Sequence, residues 1–290
     1  MRRRPISLLL PLILSLVLSA CPAYGQKWSF AVVADNRSAF GSYRNVLAEI
    51  KSFEKRPDSA RSPVKFVIGC GDIAPIKEND ALYKSVLGES GVSFIPVRGN
   101  HEEKADVDYI LKTLLPSASC RSTSLSPESL SYYVDWKNVR FLILDQYHDF
   151  GKTLNRKQAL EWLTRAIESA KGIDHIFVAF HEPYLPDKPE NDAFWSILLR
   201  YGDRIRAVFC GHTHVYERKR FPDTMEGMIY VNAGNAGWAA HSDKRQTIVE
   251  ASIDGREVSF RALQAPDGKK DFKVMDEWVA GRAGEFGKPR

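Results

Sequence analysis

Short, near-continuous apolar runs rich in Val, Ile and Phe recur along the chain: WSFAVVAD (28–35), VKFVIGCGD (64–72), VSFIPVRGN (92–100), VRFLILDQ (139–146), IDHIFVAFHEP (173–183) and IRAVFCGHTH (205–214). Runs of this length with little polar alternation read as strands buried on both faces. Between them the apolar positions take helical spacing, in YRNVLAEIKSFEK (43–55), NDALYKSVLGES (79–90), DVDYILKTLL (106–115), RKQALEWLTRAIESAK (156–171) and DAFWSILLRYG (192–202). This alternation predicts helices covering a mainly parallel or mixed sheet. Beyond His214 the texture changes to MIYVNAGNAG, RQTIVEASID and REVSFRALQ, shorter alternating strands joined by Asn/Gly and Asp-Gly turns, so the second half ends in antiparallel β. The Ser- and Pro-rich stretch 116–131 reads as a surface loop, and the tail from Pro266 as partly loose, with DFKVMDEWVAG a short helix. No internal repeat interrupts the pattern.

Length and composition add boundaries. At 290 residues, 44% hydrophobic and 27% charged, the chain can bury a core without disulfide staples. Three arginines followed by an apolar run from Ile6 to Ala20 have the order of an export signal, assigned to residues 1–25, ahead of a main domain over 26–265 and the tail 266–290. Leu18-Ser19-Ala20-Cys21 also resembles a bacterial lipobox. Cleavage after Ala23-Tyr24-Gly25 by an ordinary signal peptidase is the rival, so the protein is expected to be exported from a bacterial cytoplasm as a periplasmic, secreted or lipid-anchored form. The formal charge of +5 includes Arg2, Arg3 and Arg4, and residues 1–25 carry no acid, so the mature value is +2. With no segment interleaving basic and aromatic residues, nothing points to a nucleic-acid partner. A membrane is met only through a lipid at Cys21. Of the remaining cysteines, Cys70 and Cys210 each close an apolar run before a glycine, as small buried hydrophobes do.

The candidate chemistry lies where the apolar runs stop. Asp35, Asp72, Asn100 with His101, His181, and His212 with His214 each follow such a run. Ligands of open α/β sheets bind beyond the carboxyl ends of strands, so these endings are expected to gather at one edge. An Asp after a strand is commonly a helix cap and a lone His a structural residue, but five endings that all carry oxygen or nitrogen donors are hard to ascribe to capping. On an extended segment His212 and His214, two residues apart, would point the same way.

Taken in order, Asp35 in ADNR, Gly71-Asp72, Gly99-Asn100-His101-Glu102, His181 in AFHEP and Gly211-His212-Thr213-His214 resemble the calcineurin-like metallophosphoesterases, whose pattern runs D-x-H, G-D, G-N-H-D/E, H, G-H-x-H. HVYER and NAGNAG are similar to the purple acid phosphatase branch and its bacterial relatives. The resemblance implies an α/β fold in four layers, a β-sandwich of mixed sheets flanked by helices. It also implies one or two divalent cations (Mn, Zn, Fe or Mg), Asp72 bridging, Asp35 and His214 on one side, and Asn100, His181 and His212 on the other. Two such ions ~3.5–4 Å apart suit hydrolysis of a small phosphorylated substrate, whether a monoester, a diester or a diphosphate. His101, left without a metal, would position phosphate or protonate the departing oxygen, with Glu102 or Glu103 orienting the ring or forming a solvated helix start.

The match departs in two places. Arg37 stands where the family's D-x-H has its histidine, and a guanidinium cannot bind a metal. The first site is then weak or empty, or Arg37 clamps phosphate oxygens, or it pairs with an acid such as Asp35. Pro75 stands where purple acid phosphatases place an iron-binding tyrosine. Two other readings stay open: a catalytically silent metal- or phosphate-binding scaffold, and a phosphoprotein phosphatase.

Overall fold

The computed structural model describes residues 27–55, 62–115, 121–223, 228–237 and 244–280. The export signal and the Cys21 anchor lie outside these residues, as does Cys120. Among the described residues no helix is long and apolar enough to cross a membrane.

Each predicted apolar run forms a strand: β1 (Trp28–Val33), β2 (Val64–Cys70), β3 (Ser93–Val97), β6 (Val139–Ile143), β7 (His175–Ala179) and β8 (Ile205–Cys210). The antiparallel ending is also present, as β10 (Met228–Ala233), β11 (Arg245–Asp254) and β12 (Glu257–Pro266). Four strands were not anticipated: β4 (Arg121–Ser124), β5 (Tyr132–Trp136), β9 (Tyr216–Phe221) and β13 (Lys273–Val279). β4 falls within the stretch read as a loop, and pairs with β5 to extend a sheet edge. Residues 281–290 of the tail lie outside the described residues, and β13 replaces the expected short helix. Its alternating burial and its pairing with β12 turn residues 273–279 into an edge strand, because Trp278 stacks on Phe260 at 4.9 Å and fixes the register.

The helices are α1 (Phe40–Ser52), α2 (Ile76–Leu87), α3 (Lys104–Tyr109, continued by a π-turn over Ile110–Leu114), α4 (Lys157–Glu168) and α5 (Ala193–Arg200). The strands form two mixed sheets, in the orders β13-β12-β11-β1-β2-β3 and β4-β5-β6-β7-β8-β10-β9. Period-2 alternation decides the layers. Phe30 and Val32 of β1 join Phe66, Phe141, Phe177, Phe209 and Phe260 in a core between the sheets, while Ala31 and Val33 face Val46, Leu47 and Ile50 of α1. On the far side Leu142 and Val178 pack under Trp162, Leu163 and Phe194 of α4 and α5. The result is the expected α/β-β/α sandwich in four layers. Its inner core is aromatic, with Phe30 meeting Phe141 and Phe177 edge-on at 5.0 and 4.9 Å. β1, β2 and β3 run parallel in one sheet and β6, β7, β8 and β10 in the other, so their carboxyl ends share one rim.

Candidate metal centre

Every predicted ligand lies just past a strand on that rim. Asp35 follows β1, Asp72 follows β2, Asn100 follows β3, His181 follows β7, and His212 and His214 follow β8. The chain reverses abruptly at these places. Asp35, Arg37, Asp72, His212 and His214 all adopt positive φ, between 41° and 71°, a region costly for residues with a Cβ. The His212–His214 segment is therefore not extended, as read from its spacing, but bent. Each histidine reaches the site from its own left-handed turn. Gly71 and Gly99 make room: a Cβ on Gly71 would lie 2.3 Å from His181 Nδ1, and one on Gly99 2.3 Å from the Asp72 amide and carboxylate.

Two groups of donor atoms result, and Asp72 belongs to both. In the first, ligand atoms of Asp35, Asp72 and His214 lie within 4.8 Å of one another, all three residues buried. Asp35 Oδ2 accepts the His212 N–H, whereas Oδ1 is buried, has no hydrogen-bond partner and lies 3.5 Å from His214 Nε2. In the second, His181 Nδ1–H donates to the Cys70 carbonyl at 2.7 Å, which leaves Nε2 bare in the neutral ring. That Nε2 lies 3.3 Å from Asp72 Oδ1, 3.1 Å from Asn100 Oδ1 and 3.3 Å from His212 Nδ1. Asn100 Oδ1 is also 3.1 Å from His212 Nδ1. The lone pairs of His181, Asn100 and Asp72 converge here beside His212 Nδ1. Two carboxylates, three imidazoles and an amide oxygen fit borderline divalent cations such as Zn, Mn and Fe.

The electrostatics agree with that fit. Burial, then repulsion from Asp72, raises the Asp35 carboxyl well above its ordinary range, against the His212 N–H that favours its charge. Burial, then Asp72, pushes Glu102 up to about 7. Burial lowers His181 to about 4, so its ring stays neutral and able to bind a metal at ordinary pH. Three acids gathered in one dry place call for positive charge. Acidification is expected to weaken divalent-cation binding, because the raised Asp35 must lose its proton before it can bind a cation, while His181, lowered to about 4, does not yet compete. The loss is up to about tenfold per pH unit for each proton displaced. Calorimetry in two buffers of different ionisation enthalpy reads the released protons directly, and zero release at pH 6 would contradict it.

Several residues that hold this geometry were not anticipated. Glu102 neither orients His101 nor sits in solvent: it is 3% exposed and accepts backbone N–H groups from Asp72, Ile73, Ala74 and Gly99. It ties the Asp72 loop to the Asn100 loop, while the exposed Glu103 merely precedes α3. Gln146, the polar end of the run 139–146, accepts the N–H groups of His181 and Glu182 and donates to the Glu182 carbonyl. Asn232 and Asn235, read from sequence as turn chemistry, donate to the Gly211 and His214 carbonyls and so brace the histidine turn.

The remaining predicted residues line the opening. A cavity of about 470 Å³ is walled by Arg37, Asp72, Asn100, His101, His212, Thr213 and His214. His101 donates its N–H to Asp72 Oδ1 at 3.1 Å, and its Nε2 is 3.6 Å from Asp72 Oδ2 with the side chain 41% exposed. Arg37 is pinned by its backbone, the N–H donating to the Asp72 carbonyl and the carbonyl accepting from Asn79. Pro75 leads into α2 and brings no phenol to the centre. Cys70 and Cys210 are buried free thiols, as expected.

A family model described as calcineurin-like phosphoesterase matches residues 29–216. The fold is also that of known structures. The structure of PhoD superposes with a TM-score of 0.59 at 10% identity, covering 89% of this chain and 70% of that one. GAP50, described as the anchor in the inner membrane complex of Plasmodium, superposes with a TM-score of 0.54 at 13% identity, covering 87% and 88%. No curated protein sequence matches the chain.

Proposed function

Because this chain belongs to the calcineurin-like phosphoesterase family, a class of metal-dependent phosphoester hydrolases, we propose that it is itself a hydrolase of a small phosphorylated substrate, driving in-line attack of water on phosphorus. Asp35, Asp72 and His214 would hold one cation, and Asp72, Asn100, His181 and His212 a second. Cations there supply Lewis acidity toward a phosphoryl oxygen and make water nucleophilic near neutral pH. Arg37 presents a planar fork of donors on the cavity wall, suited to phosphate oxygens. His101, held by its own N–H to Asp72, stands on the same wall, where its ring can hold the phosphate or hand a proton to the departing oxygen.

The convergence of lone pairs about Asp72, with the partnerless Asp35 Oδ1 beside them, carries this reading. A matrix of Mn, Zn, Fe, Mg and Ca against monoesters, diesters and diphosphates tests it. Turnover with some pair is the expected result, and tight metal binding without turnover of any would favour the silent scaffold. His101→Ala should lower turnover of an aryl phosphate by about 10²-fold or more at unchanged metal content. Unchanged turnover would remove His101 from the chemistry.

A further inference from the structure

We propose that the Thr213 hydroxyl is a further substrate contact, donating its proton to a phosphoryl oxygen, and that Asn232 fixes the direction of that proton. This rests on the phosphohydrolase reading above. Thr213 lies between the two histidines, is exposed, and walls the same cavity as Arg37 and His101.

The proton's direction follows from atoms whose roles cannot be exchanged. Asn232, 1% exposed, accepts the backbone N–H of Gly234 at 3.1 Å, so that atom is its oxygen. Its nitrogen is therefore the atom 2.7 Å from the Gly211 carbonyl and 2.7 Å from Thr213 Oγ1. An amide nitrogen only donates, so Thr213 Oγ1 is an acceptor in that bond. The Val215 N–H approaches the same oxygen at 3.5 Å, a weaker second donor. With its lone pairs facing donors, the hydroxyl must turn its own hydrogen elsewhere. Among the described residues no acceptor receives it, and the cavity is open to it. Arg37, His101 and Thr213, the three wall residues outside the ligand set, can thus all donate, as an anionic phosphoryl group requires.

The test uses the manganese-loaded protein, with inorganic phosphate as the probe by calorimetry and an aryl phosphate for kinetics. Thr213→Val is isosteric at an exposed position, leaves Asn232 its bond to Gly211, and removes only the hydroxyl. It is expected to weaken phosphate binding and raise KM by about tenfold or more, since hydrogen bonds to charged groups carry that much affinity. Metal content should not change, which separates a lost contact from a distorted histidine turn. Thr213→Ser, which keeps the hydroxyl, should stay within about twofold of the wild type. Phosphate affinity and KM of Thr213→Val within twofold of wild type would overturn the contact, as would a serine variant as impaired as the valine one. Phosphate binding that depends on Thr213 in a protein without turnover would reject the hydrolase reading and uphold the contact. No phosphate binding by the metal-loaded wild type would overturn both.

Discussion

Asp72→Asn is expected to strip the protein of bound divalent metal, to lower turnover of an aryl phosphate by about 10³-fold or more, and yet to raise the melting temperature of the metal-free protein. The first two effects follow from the position of Asp72 in both donor groups, where its carboxylate offers ligand atoms to the two halves of the site. A metal's electrostatic work on a phosphoryl group amounts to several kcal/mol, hence the size of the kinetic loss. The third effect follows from repulsion. Asp72 raises the carboxyls of both Asp35 and Glu102, so without a cation its charge opposes folding. Asparagine keeps an oxygen for the His101 N–H and removes the charge. A gain of about 1–2 kcal/mol, or roughly 2–4 °C for a chain of this size, should appear in metal-free melts. Added metal, which should raise the melting temperature of the wild type, should leave that of the variant unchanged. Elemental analysis, aryl-phosphate kinetics and paired melts check the three, and full metal occupancy in the variant would contradict the shared role of Asp72.

Glu102→Ala should be the most destabilising single change at the site, by about 4 kcal/mol or more. Four backbone N–H groups, from Gly99, Asp72, Ile73 and Ala74, end on this one carboxylate. Each buried donor left without an acceptor costs roughly 1–3 kcal/mol, less where water enters. These bonds favour the ionised form against burial and Asp72, which nonetheless leave the group raised to about 7. Loss of the tie would also let the Asp72 and Asn100 loops move apart, so metal affinity and turnover should fall together. Chemical denaturation beside Glu103→Ala gives the comparison, because the exposed neighbour should change stability by no more than about 0.5 kcal/mol. Equal, small effects of the two changes would remove Glu102 from its bracing role.

Glu102 also marks where reading a sequence stops. In GNHE it stands at the start of a helix beside a second glutamate, and a pair of acids there ordinarily faces water. Nothing local announces that the chain about 30 residues earlier turns the three N–H groups of Asp72, Ile73 and Ala74 toward it. Gln146 has the same character: as the sixth apolar run to end in a polar residue it was visible, but its bonds to His181 and Glu182 span more than 30 residues. Residues 273–279 form a strand where a helix is expected, for another reason. KVMDEWV suits a helix as well as an edge strand, and the choice came from Trp278 stacking on Phe260 and from the Arg218 guanidinium and Tyr216 hydroxyl on Asp276. β9, which supplies those two side chains, was likewise missed, its run of charges masking the strand.

Where a contribution came from tracks the range of the forces behind it. Apolar runs, helical periods and glycine-flanked Asp, Asn and His at strand ends are local features with local consequences, so the layered α/β architecture and six of the side chains at the rim could be read directly from residue order. The order of strands within each sheet, the left-handed bends that turn His212 and His214 inward, the carboxylate that ties two loops and the proton direction at Thr213 depend on groups brought together from distant parts of the chain. Those partners meet only once both sheets have closed on their aromatic core and shut out water.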